Sequence, residues 1–143
     1  MKIRIKRIDK TLPLPEYKTS GAAGFDFTAR LTTSIPAKSI GYIPLNVAIG
    51  HPKNHMLLMA ARSSLHKKGV MMANGIGIGD EDFSGNNDEY RAALYNFTEN
   101  PVTIERGERI VQGIFKEIAR AEWEEVENLE SPSRGGFGTT GNK

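Results

Sequence analysis

The chain has 143 residues, 38% of them hydrophobic and 25% charged, which describes one globular domain with a core of ordinary size. Nineteen basic residues against seventeen acidic ones leave a formal net charge of +2, too small to argue for a nucleic-acid partner. There is no cysteine, so disulfides and thiol chemistry are excluded. No apolar stretch nears the roughly 18 residues of a membrane span and the N-terminus is not a signal peptide, so the expectation is a cytoplasmic enzyme or binding protein.

Short strand-like segments recur along the chain, each closed by Gly, Pro or Asn. The first is Lys2–Ile8, where Lys2, Arg4, Lys6 and Arg7 largely alternate with Ile3, Ile5 and Ile8. That is the period-two pattern of a strand with one solvated face, not a site for an anionic partner. Gly24–Ala29, Ile40–Ile49, Met56–Ala61, Gly69–Met72 and Tyr90–Phe97 follow, then Pro101–Ile104, Arg109–Ile118 and Glu122–Val126. Helical periodicity is weak, and Ser63–Lys68 has room for one or two helical turns. Spacing and length predict an all-β sandwich or barrel over residues 1–128. Residues 129–143 form a Gly-rich arm.

Three loops and the arm carry the chemistry-bearing residues. Asp80 to Glu89 holds five acidic residues in ten, after glycines that let a ligand come close. An EF-hand reading of this loop fails, because its twelfth position is Arg91 and the flanks are strands. Asp80 remains a candidate general base at a strand end. Arg62-Ser63-Ser64 offers a guanidinium and two hydroxyls to an anion, although serine at such a place also caps helices. Gln112 follows two β-branched residues and can present its amide to a neighbouring site, whereas Arg109 suits a structural ion pair. In Arg134-Gly-Gly-Phe137-Gly-Thr139-Thr140-Gly141, one aromatic ring, two hydroxyls and a guanidinium sit among four glycines. Such a tail suits a flat base and a polyphosphate, or it is a disordered end that orders on binding. No P-loop is present, and His51, His55 and His66 fit no zinc spacing.

Taken in order, these segments resemble the five motifs of the trimeric dUTPases, and the match covers nearly the whole chain. Ser20-Gly-Ala-Ala-Gly-Phe-Asp26-Phe resembles that family's AGxDL, and Arg62-Ser63-Ser64-Leu65 is similar to its second motif. Gly77-Ile-Gly-Asp80-Glu-Asp-Phe83-Ser-Gly85 resembles GxIDxDYxG, and Gly107-Glu-Arg-Ile-Val-Gln112 and the arm complete the set. The stretch Met1–Asp26, with Leu14-Pro-Glu-Tyr17, also resembles the family's first hairpin. The resemblance implies a jelly-roll-like β subunit in a homotrimer, with active sites at subunit interfaces and the C-terminal arm crossing to a neighbour. It also implies hydrolysis of dUTP to dUMP and pyrophosphate with Mg2+. Asp80 would activate water, and Arg62, Ser63, Ser64, Gln112, Arg134, Thr139 and Thr140 would hold phosphates. Phe137 would stack on uracil, with Asn74, Gly77, Ile78 and Phe83 around base and sugar. The base edge would be read largely by backbone groups of a hairpin spanning Met72–Phe83, too tight for a thymine methyl. Asp26 would orient metal-bound water.

The chain departs from the family pattern in four places. Phe83 stands where most relatives have Tyr, which removes a phenol hydrogen bond but keeps the ring. Gly79 replaces the usual Ile before Asp80, a loss of packing expected to loosen the placement of that carboxylate. About three residues are inserted after Gly85. Arg134 lies three residues before Phe137, where the family has its Arg five before and this chain has Pro132. Two other functions fit parts of the pattern. A dCTP deaminase has the same fold and an Arg-Ser-Ser-Leu-like segment, but it needs a carboxylate in the strand that here reads Tyr90-Arg-Ala-Ala-Leu-Tyr. A non-catalytic nucleotide-binding or regulatory module could keep the scaffold without the reaction.

Overall fold

The computed structural model describes residues 1–136 and contains eleven strands and one short 3-10 turn. β2 (Phe25–Thr28), β11 (Arg109–Glu117), β6 (His55–Ala61) and β8 (Gly77–Gly79) make a four-stranded sheet in that order. β4 (Ile40–Pro44), β9 (Arg91–Asn96) and β7 (Val70–Met72) make a three-stranded sheet. β1 (Arg4–Arg7) pairs with β5 (Val47–Gly50), and β10 (Val102–Ile104) with β3 (Thr33–Ile35). Every pairing is antiparallel.

Alternation decides which faces turn inward. β9 buries Ala92, Leu94 and Asn96, and β2 buries Phe25 and Phe27. With Ile43, Leu57, Val70, Ile104, Ile110 and Val111 they form one continuous core. A core Leu, Ile or Phe is worth roughly 1.5–3 kcal/mol against exposure, so this shared interior holds the sheets together. One polar residue is built into it. Asn96 is fully buried and its amide donates to the carbonyls of Ile35, Pro36 and Asn100 at 3.0, 3.1 and 2.7 Å. Its oxygen accepts from the Thr98 N–H and hydroxyl. This side chain ties the end of β9 to the end of β3.

Most expected strands form, with four differences. Ile40–Ile49 is two strands, because Asn46 takes φ +69°. Asn tolerates the left-handed region, and here its amide also bonds the backbone of Asp9 twice. The stretch Met72–Phe83 is not a paired hairpin: β7 joins β9 while β8 joins β6, so the chain crosses between sheets at Ala73–Ile76. β1 is wetter than a half-buried strand, with Ile5 37% and Ile8 39% exposed. No strand forms at Glu122–Val126, which pairs with none of the described strands, and Trp123 is 93% exposed. The 3-10 turn at Leu65–Lys68 matches the expected helical turn and ends on Gly69 at φ +83°.

Replacing Asn96 by Ala removes the side-chain partner of the buried Ile35 carbonyl and of the Thr98 N–H, and is expected to cost about 2 kcal/mol in urea unfolding. A loss below about 1 kcal/mol would show that the amide is not the tie described.

Candidate active site

β8 is an edge strand of the four-stranded sheet, and Asp80 follows it directly. Gly77, Ile78, Gly79, Asp80 and Phe83 line a cavity of about 630 Å³ with Asn74, Tyr42, Met59, Asn87 and Tyr90. That volume suits a small organic ligand. The free edge of β8 faces it with unpaired backbone groups, the kind of surface that reads a flat base by hydrogen bonds. Asp80 is exposed and its carboxylate accepts no hydrogen bond from a described residue. Its neighbour is engaged elsewhere. Glu81 pairs with Arg120 at 2.8 Å and accepts from the Asn54 N–H at 3.0 Å. Arg120 holds the Glu81 carboxyl below the usual range, so this pair persists into mildly acidic solution and is lost only as pH falls through that lowered value.

The segment after Gly85, where the insertion is expected, is held by hydrogen bonds. The Gly85 N–H donates to Asp88 at 2.6 Å, and Lys6 donates to the Asn86 carbonyl at 2.8 Å. Asn87 and Asp88 add to the cavity wall.

Gly79 does not leave a hole. A side chain there would strike the ring of Tyr90, with Cε1 2.9 Å and Cζ 3.0 Å from the position a Cβ would take and the hydroxyl closer still. Tyr90 is 3% exposed, so the packing lost with the usual Ile is supplied from β9's approach instead. The expected loosening around Asp80 is therefore corrected. The phenol meets His51 Nε2 at 2.5 Å, and burial pushes the phenol above its ordinary value. Burial also lowers the imidazole, whose Nδ1 is enclosed without a hydrogen-bond partner among the described residues. No pattern in the residues signals this pair beyond the glycine at 79, and His51 had interest only as a metal ligand.

The second group of candidates sits at the other end of β6. Arg62 follows that strand, and its Nε lies 3.2 Å from Asp26 on β2. Arg109 reaches the other Asp26 oxygen at 2.9 Å, the structural ion pair expected of it. Gln112 pairs in register with both Asp26 and Ala60, and donates to the Ala61 carbonyl at 3.1 Å, leaving its second N–H. Ser63 and Ser64 are exposed. Ser64 stands at the N-cap of the 3-10 turn without a side-chain capping bond, so its hydroxyl is not consumed there. The result is a cluster of cationic and polar donors suited to phosphate oxygens.

Among the described residues no three His, Asp or Glu side chains converge as a metal cage. Both Asp26 oxygens face arginines. This donor set fits an ion carried on substrate phosphates, the usual habit of Mg2+, with one carboxylate nearby.

The two groups do not meet within one chain. Gly79 pairs with Leu57, which puts Asp80 at the level of Met56, six residues from Arg62 along an extended strand. That separation is about 20 Å. Arg134 is exposed near the end of the described chain, and Phe137, Thr139 and Thr140 lie outside the described residues.

No helix among the described residues is long and apolar enough to cross a membrane. The dUTPase family model matches residues 10–141. The chain is 37% identical to the deoxyuridine 5'-triphosphate nucleotidohydrolase of Dictyoglomus turgidum, over 99% of both chains. It is similar to the dUTPase of Streptococcus mutans, with a TM-score of 0.76 and 29% identity over 83% of this chain and 98% of that one. The Staphylococcus bacteriophage 80alpha dUTPase, with dUPNHPP, superposes with a TM-score of 0.85 over 98% of both chains and, at 23% identity, shares the fold. Fold, motifs and likeness agree, and the chain belongs to the dUTPase family.

Proposed function

We propose that this chain hydrolyses dUTP to dUMP and pyrophosphate in a site assembled from several copies of itself. One observation carries the reading: Asp80 and the Arg62 cluster lie about 20 Å apart in a single chain, too far to act on one α-phosphate. A triphosphate lying in the cavity of one subunit would meet the Arg62 cluster of another. The three-stranded sheet supports such a contact. Ile40, Tyr95 and Met71 align across β4, β9 and β7, and Ile40, Tyr42 and Met71 are 51%, 66% and 48% exposed. An apolar face of this kind marks an interaction surface, and Tyr42 also lines the cavity, so a subunit seated there reaches the substrate. A homotrimer is the closed assembly we assign.

In that site uracil lies against the free edge of β8, with Asn74 beside the base. Phe83 packs under the deoxyribose, where a 2′-hydroxyl would crowd its ring. Asp80 takes a proton from the water attacking the α-phosphorus, and the bond to the bridging oxygen breaks so that pyrophosphate leaves. Arg62, Ser63, Ser64 and Gln112 hold the phosphate oxygens and strengthen as charge moves onto the leaving group. Magnesium carried on the triphosphate would supply charge neutralisation, and Asp26 would orient its water. We assign residues 129–143 to an arm that crosses to a neighbour, with Arg134, Thr139 and Thr140 on the outer phosphates and Phe137 on the base. Stacking of that ring is worth roughly 1–3 kcal/mol. The exposure of Trp123 and Leu129, 93% and 82%, favours an arm that packs elsewhere than on its own domain.

Incubation with dUTP or dCTP and magnesium tests the reading. Pyrophosphate from dUTP alone is expected, whereas ammonia from dCTP would indicate a deaminase and silence in both a binding module. Asp80→Asn is expected to lower kcat by about 10²- to 10⁴-fold while dUTP affinity by calorimetry stays within several-fold. A wild-type rate in that variant would remove Asp80 from its role. Tyr42→Asp puts a charge into the apolar face, and sedimentation is expected to show smaller species without activity. An intact, active trimer would place the contact elsewhere.

A further inference from the structure

We propose that Tyr90, anchored by His51, is the positioning residue that sets both Asp80 and the sugar-facing ring of Phe83. This rests on the dUTP-hydrolysing reading of the cavity and names what gives that cavity its shape. Three contacts converge on one buried phenol ring. Its hydroxyl-bearing edge occupies the space beside Gly79, immediately before Asp80. Its ring meets that of Phe83 with centroids 5.1 Å apart at 77°, the edge-to-face arrangement that aromatic pairs favour. Its hydroxyl is fixed by His51 at 2.5 Å.

His51 is itself held from two sides. Its ring stands edge-on to Phe115 at 5.6 Å. Its backbone N–H donates to the Ser84 hydroxyl at 3.1 Å, and that hydroxyl donates to the Glu81 carbonyl at 2.7 Å. The loop from Asp80 to Ser84 is thus stitched to the end of β5 through one histidine, and to β9 through one tyrosine. Tyr90 in turn is locked by backbone bonds to Leu45 and Val47. Displacing the ring would shift the strand end carrying the base and the aromatic wall against the sugar together. A shift of about 1 Å costs on the order of 10²-fold in rate.

The geometry also explains the glycine. Tyr90 and Gly79 are complementary, so a large residue at one position requires a small one at the other. Tyr90→Val empties the space, Gly79→Ile alone collides with the phenol, and the pair Gly79→Ile with Tyr90→Val refills the space from the other side.

The test is a cycle of these three variants, read by kcat, KM, the preference for dUTP over UTP, and thermal midpoint. For Tyr90→Val we expect kcat to fall about 10- to 100-fold, KM to change less, and the dUTP preference to drop about tenfold. The double variant should recover kcat to within about threefold of the parent and show a midpoint above that of either single change. Tyr90→Phe, which keeps the ring and loses the anchor, should lower kcat several-fold. A folded Tyr90→Val with parental kcat and preference would overturn the proposal, as would a double variant no better than the worse single one. If Tyr90→Val does not fold, the double variant decides alone, by folding and turning over or by failing to. If the parent itself left dUTP intact, the proposed reaction would fall, while the midpoints would still report whether Tyr90 and Gly79 pack as a pair.

Discussion

β6 has seven residues in extended conformation, and its two ends cannot serve one reacting phosphorus. The Asp80 carboxylate lies beside one end through the β6–β8 register, and the arginine and serines emerge from the other. No side chain closes about 20 Å, and a strand cannot be shortened without losing the ladder that builds the sheet. On the proposed reading these are two half-sites, and the apolar face is where copies would bring them together. Oligomerisation is then a condition of the chemistry and not an addition to it.

Within each half the polar groups are arranged so that the reactive ones stay uncommitted. Glu81, Asp88 and Glu89 are all used in holding the fold: Glu81 on Arg120, Asp88 on the Gly85 N–H, and Glu89 in a two-pronged bond to Arg30 at 2.7 and 2.9 Å. Asp80 has no such bond among the described residues, which leaves it able to accept a proton from water. At the far end, Asp26 neutralises two arginines that would otherwise repel each other. The arginines keep donors free, so a phosphate can enter without dismantling the pair.

Much of this was legible from residue patterns. The period-two runs around Phe25–Thr28 and Arg91–Asn96 marked the core faces, and the order of five short polar motifs marked the family. What was not legible depended on contacts between distant segments. The split at Asn46 required the left-handed turn that its bonds to Asp9 stabilise. The crossing of the chain between β7 and β8 depends on which sheet each strand joins, and three-residue strands carry too few side chains to declare it. Gly79 was visible as a departure, but its compensation by Tyr90 required two segments to meet eleven positions apart. Glu122–Val126 has only Trp123 and Val126 as apolar residues, too little to bury a face, and it pairs with none of the described strands.

Mixing two inactive variants measures the central claim most directly. Asp80→Asn and Arg62→Ala subunits, unfolded together and refolded at equal amounts, form random assemblies. If each site draws residue 80 from one chain and residue 62 from another, about a quarter of the sites contain both native side chains and dUTP hydrolysis returns to that level. If mixing restores nothing while mixed assemblies are demonstrably present, both residues act from the same chain and the account of divided half-sites is wrong.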